Sequence, residues 1–127
     1  MKKCYWLLNH RILDKQRKEL EERYGIREII TPPERVEKLW ENVPTEEEIP
    51  RTFFETIEAW LCNADNSDIA IIQGEPTAAF IIILHLLERG VSVLAGVTER
   101  RAINKEENGI VIKTCVYEHV CFRKYSK

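Results

Sequence analysis

Four short runs rich in β-branched and apolar residues, at 4–8, 27–31, 69–72 and 91–95, are separated by segments long enough to be helices. Parallel strands need a crossover of a dozen residues or more, so this alternation predicts an α/β fold built on a mostly parallel sheet. The run at 69–72, Ile-Ala-Ile-Ile, has no polar side chain and suits a central strand buried on both faces. Asp14 opens an amphipathic helix that reaches Tyr24, with Gly25 as its stop. Pro32-Pro33 ends the second strand and starts a helix in which Val36, Leu39 and Trp40 recur at helical spacing. A third helix is expected over 45–62, led by acidic residues that suit its dipole, and an apolar fourth runs to Arg89 and stops at Gly90. Beyond the fourth strand, 96–101 reads as a loop. Residues 110–117 and 120–125 alternate with a period of two and read as an antiparallel hairpin turning at Glu118-His119, at the edge of the sheet.

At 127 residues the chain fits one domain, 1–127, large enough to bury a core without disulfides or a structural metal. Cys4, Cys62, Cys115 and Cys121 read as reduced core residues, and Cys115, His119 and Cys121 lack the spacing and the fourth ligand of a zinc site, so no metal is expected. The apolar start is short and no small-residue cleavage site follows, which predicts a cytoplasmic protein. The apolar run at 78–87 is about half the ~20 residues a membrane helix needs. No membrane partner is expected. Nineteen Lys and Arg against 21 Asp and Glu argue against coating long nucleic acids by charge. Charge is uneven, however: residues 1–33 carry +3, 34–68 carry −7, 69–97 carry −1 and 98–127 carry +3. Basic ends can thus form a positive surface on an acidic chain, suited to a small anion.

Ligands of open α/β sheets bind outside the carboxyl ends of the strands, where helix N-termini and loop amides converge. Three segments qualify: Asn9-His10-Arg11, Gln73-Gly74-Glu75-Pro76-Thr77 and Thr98-Glu99-Arg100-Arg101. Gly74 permits close approach of a ligand, Pro76 suits a first helical turn and Thr77 offers a hydroxyl beside free amides, a combination able to cradle phosphate. The plainer alternative is a strand-to-helix turn shaped by Gly and Pro, with Glu75 capping the helix. Neither a Walker lysine nor a Gly-x-Gly-x-x-Gly is present, which disfavours nucleoside triphosphates and dinucleotide cofactors. No cofactor is expected. His10 can transfer a proton near neutral pH, or merely satisfy a loop carbonyl. Arg100 and Arg101 can clamp phosphates or stand solvated, and Arg123 can project from the edge strand toward the basic face. His85, within the apolar helix, reads as a core or interface residue.

The ordered set Asn9-His10, Leu13-Asp14-Lys15-Gln16, Trp40-Glu41-Asn42-Val43-Pro44, Gln73-Gly74-Glu75, Thr98-Glu99-Arg100 with Glu107, and His119-Val120-Cys121-Phe122-Arg123-Lys124-Tyr125 resembles the small stand-alone Csx-type proteins that accompany type III CRISPR systems. The resemblance spans nearly the whole chain. It implies a Rossmann-like domain related to the CARF sensors, a homodimer, and a metal-independent ring nuclease that opens cyclic oligoadenylates, most often cyclic tetra-adenylate, to products with a 2′,3′-cyclic phosphate. On that reading His10 and Arg100 are catalytic. Asn9, Arg11, Gln73, Gly74, Glu75, Thr77, Thr98, Arg101 and Arg123 then contact substrate. Two alternatives stay open: a sensor or sponge that binds the ring without cutting it, and an interaction protein whose strand-end residues do no chemistry.

Overall fold

The computed structural model describes residues 2–126. In chain order its elements are β1 (Lys3–Leu7), α1 (Asp14–Tyr24), β2 (Glu28–Ile30), α2 (Glu34–Glu41), α3 (Arg51–Trp60), β3 (Ile69–Ile72), α4 (Pro76–Glu88), β4 (Ser92–Glu107) and β5 (Ile110–Lys124). They form an α/β fold around one five-stranded sheet of order β2-β1-β3-β4-β5. The first four strands run parallel to their neighbours, and β5 is antiparallel to β4. The strand order reverses between β1 and β3. That reversal opens a crevice at their carboxyl ends.

Alternation along β1 assigns its side chains to two layers. Tyr5 and Leu7 face α2, α3 and α4, where they meet Trp40, Ile57, Ile82 and Leu86. Cys4, Trp6 and Leu8 face the opposite side, against Leu20 of α1 and Phe122 of β5. β3 is buried at all four positions, as its apolar run requires. Gly25 takes a left-handed φ of 68° and ends α1, where a side chain would strain the backbone.

Three sequence expectations need correction. The third helix begins at Arg51 rather than 45, because Pro50 supplies its extended N-cap and Glu46, Glu47 and Glu48 stay outside it. The segment 96–101 is the middle of β4, which continues without a break to Glu107. The hairpin therefore joins β4 to β5 and turns at Asn108-Gly109, whose φ values of 51° and 76° match the mirror-image turn that suits twisted strands. Glu118 and His119 lie inside β5, beside a bulge that interrupts the register between Val97 and Thr98.

The root of this ribbon is pinned to α1. Glu19 meets His119 Nε2 at 2.8 Å through one carboxylate oxygen and accepts the Phe122 amide at 2.8 Å through the other. His119 is buried, and its Nδ1 has no hydrogen-bond partner among the described residues.

Of the four cysteines, only Cys4 is buried; Cys62 and Cys115 are exposed and Cys121 is half-buried. Burial pushes the Cys4 thiol up to about 12, which keeps it protonated and unreactive. A maleimide added to the native protein is therefore expected to modify Cys62 and Cys115 rapidly and to reach Cys4 only after unfolding. Peptide mass spectrometry checks this, and fast labelling of Cys4 in native buffer would contradict the packing.

Candidate functional site

The loop after β1 is held by a tryptophan and a glutamine that sequence inspection did not single out. Trp6, itself buried, donates its indole N–H to the His10 carbonyl at 3.0 Å, and its ring meets the His10 ring edge-on with centroids 6.0 Å apart. Gln16, also buried, turns back from the first turn of α1 to accept the Leu13 amide at 2.9 Å. Both ends of the loop are thus fixed, although Asn9, His10 and Arg11 are exposed. His10 Nδ1 lies 2.9 Å from the Arg11 carbonyl oxygen. A carbonyl only accepts, so the neutral ring carries its proton on Nδ1 and leaves Nε2 as a free acceptor.

These residues line a cleft of about 510 Å³ between the ends of β1 and β2. Asn9, His10 and Arg11 form one wall, and Arg17 of α1, Thr31 and Glu37 of α2 complete it. Two guanidinium groups against a single carboxylate make the cleft cationic. Arg17 was not anticipated; its signal was a cation one turn into the helix that follows the His10 loop.

Gln73 fastens the adjacent turn to three elements. Its amide donates to the Leu7 carbonyl of β1 at 3.0 Å, its carbonyl accepts the Trp40 indole of α2 at 2.8 Å, and its side-chain oxygen accepts the Gly96 amide of β4 at 3.2 Å. Gly74 lies under the same indole. A Cβ at this position would sit 2.7 Å from Trp40 Nε1, so packing against Trp40 by itself requires glycine here. Glu75 caps α4, accepting the Thr77 amide at 3.1 Å, the Ala78 amide at 2.9 Å and the Thr77 hydroxyl at 2.5 Å. The cap, the plainer reading of this turn, is what the geometry contains, and it spends the donors expected to cradle phosphate.

The two turns are neighbours at the carboxyl edge, joined by the Gln73–Leu7 hydrogen bond, but they open onto different depressions. Gln73, Gly74 and Pro76 border an apolar groove of about 460 Å³ along α4 that His10 does not line. The third segment is not at a strand end. Thr98, Arg100 and Arg101 stand on the ribbon past the edge of the parallel sheet, where Arg100 Nη2 lies 3.0 Å from Cys115 Sγ and Arg101 pairs with Glu118. Arg123 is exposed on β5 opposite Ala95. His85 is half-buried on α4, its Nδ1 3.9 Å from Glu58 of α3.

A family model described as the "Uncharacterized protein MJ1673 family" matches residues 2–123. The chain belongs to this family. It is similar to the Methanocaldococcus jannaschii protein of that description, with 24% identity over 127 residues that cover 99% of this chain and 98% of the relative. No solved structure matches. Among the described residues, no helix is long and apolar enough to cross a membrane.

The Thr77 hydroxyl, followed by the Ala78 and Thr77 amides, holds the Glu75 carboxyl below its ordinary value of 4.5. A depressed folded pKa means that the cap stabilises fully above the unfolded value and is lost as pH falls through the folded one. Glu75→Ala is therefore expected to lower the melting temperature near neutral pH, with the gap from wild type closing on acidification below 4.5. Thermal melts across that range check the sign.

Proposed function

We propose that this protein binds a cyclic oligoadenylate, cyclic tetra-adenylate first among them, at the carboxyl edge of its sheet and opens the ring without a metal ion. The observation that carries the reading is the cleft beside the β1–β3 crevice, where a histidine with free Nε2 stands among Arg11, Arg17 and Asn9. The resemblance of the sequence to small Csx-type proteins names the substrate class.

Cleavage of RNA by its own 2′-hydroxyl asks little covalent chemistry of the protein. The ribose oxygen attacks the adjacent phosphorus, the bond to the 5′-oxygen breaks, and the products are a 2′,3′-cyclic phosphate and a free 5′-hydroxyl. His10 Nε2 accepts the proton of the attacking hydroxyl, and the leaving oxygen takes up a proton as it departs. Arg11 and Arg17 neutralise charge that grows on the phosphoryl oxygens. Asn9 hydrogen-bonds ribose or a base edge. A ring with two-fold symmetry suits a two-fold pair of chains, each supplying one such edge.

The sensor reading has an observation of its own in its favour. Glu75 occupies the amides at the start of α4, so the oxyanion stabilisation expected from the Gly74 turn is weaker than the sequence suggested. The two readings part on a single assay. Wild-type protein incubated with cyclic tetra-adenylate in EDTA is expected to convert the ring to linear product. Binding without product would assign the protein to the sensor class, and neither binding nor product would sink both. In the cleaving case His10→Ala should lower kcat by about 10²- to 10⁴-fold with little change in KM, whereas Arg17→Ala should raise KM.

A further inference from the structure

The chemistry assigned to the His10 cleft leaves the groove along α4 without a role. Its volume, about 460 Å³, falls in the ~300–1,000 Å³ range of small-molecule sites. One wall is a stripe of α4, where Ala79, Phe80, Ile83, Leu84 and Leu87 recur every three or four residues and so share a face. The core uses only part of this stripe, for Phe80 is 64% exposed. Tyr125 adds a second aromatic ring to the lining, and its amide is tied to the Val93 carbonyl at 2.9 Å.

At the carboxyl edge the lining ends in Gln73. Its side-chain oxygen accepts the Gly96 amide at 3.2 Å, and because an N–H needs an acceptor opposite it, this bond fixes which way round the side-chain amide sits. A second lone pair on Oε1 and both protons of Nε2 have no partner among the described residues. The groove therefore joins an apolar wall and a bare aromatic ring to one oriented amide with a free donor and a free acceptor.

We propose that this groove is a base-binding site that takes adenine, paired at its edge with Gln73 and stacked on Phe80. The amide selects a base: a donor and an acceptor side by side match N7 and the N6 amine of adenine, the bidentate pairing by which Gln reads it. Phosphate is poorly served here, because Glu75 occupies the Thr77 and Ala78 amides and brings a carboxylate to the same turn. The wall selects adenine among the bases. Adenine carries a single exocyclic polar group, which Gln73 satisfies; guanine, cytosine and uracil each carry two, and whichever one meets Gln73 leaves the other without a partner on the aliphatic α4 wall. Phe80 supplies the exposed ring on which a base stacks.

Applied to the cyclic oligoadenylate, this inference rests on the proposed function. The groove and the His10 cleft flank one carboxyl edge, joined through the Gln73 amide and the Leu7 carbonyl, so a ring can lay phosphate beside Arg11 and Arg17 and a base along α4. The cleft then cuts and the groove chooses the base. Free adenosine carries the same base without the phosphate and separates the two.

NMR of the assigned methyl groups tests the groove without turnover. Adenosine at about 5 mM is expected to shift the Ile83, Leu84 and Leu87 methyls, with a Kd on the order of 1 mM, and to leave Ile12 of the His10 cleft unmoved. Phe80→Ala, at an exposed position, should weaken binding about tenfold. Gln73→Glu keeps an acceptor for the Gly96 amide but loses the Nε2 donor, and should abolish the shifts. Guanosine should shift the same methyls far less at equal concentration. Groove methyls unmoved by adenosine, binding indifferent to Gln73→Glu and Phe80→Ala, or guanosine bound as well as adenosine would each overturn the site. Cyclic tetra-adenylate is expected to move Ile12 together with the groove methyls. A ring that moves neither set and is not cut, while adenosine still binds, defeats the proposed function and leaves the groove standing. A ring that is cut, while adenosine leaves the groove methyls still, does the reverse.

Discussion

Gln73 and the indole that covers it hold the carboxyl edge together. One residue receives or donates hydrogen bonds to β1, α2 and β4, and the contact is close enough that Gly74 must lack a side chain for Trp40 to lie where it does. Gly96 answers the same demand from the other direction, because a Cβ there would meet the Gln73 side-chain oxygen at 3.0 Å. With the strands fastened at this point, the His10 loop has a rigid neighbour on one flank and α1 on the other. The exposed residues of the cleft are thus carried on a buried frame of tryptophan and glutamine side chains, the arrangement by which small domains keep a surface site in register.

Much of the fold was legible because the code for it is local. Short apolar, β-rich runs announced β1 and β3, an amphipathic pattern announced α1 and a longer apolar stretch α4, and Gly25 and Pro76 marked a helix end and a helix start that the structure contains. The ribbon was misread for an identifiable reason. Its residues alternate without a buried side, so polarity alone resembles a loop at 96–101, and the turn expected at Glu118-His119 lies instead at Asn108-Gly109, the strongest turn signal in the segment. Pro50 likewise outranked the acidic residues before it in setting the start of α3.

The site was legible only in its strand ends. Asn9, His10 and Arg11 were identified from their position, and Arg17 joins them through a helical turn that sequence separation disguises. Glu75 and Gly74 carried two meanings in sequence, and geometry favours the structural one for both: a capped helix and a close-packed indole. What distinguishes those meanings is the position of Trp40, thirty-three residues away from Gln73, and no local pattern encodes it.

The bulge beside Thr98 has a consequence for how this chain can vary. Val120 is a supernumerary residue in β5, and below it the strand's odd and even positions exchange sides relative to β4. Parity, not composition, decides which residues of the ribbon face which way. Loss of Val120 would let the pairs Val97–Cys121 and Thr98–His119 follow each other regularly, so every side chain would keep its face while the local kink and extra twist of the ribbon would go; the added residue sets the direction in which the outer strands leave the body.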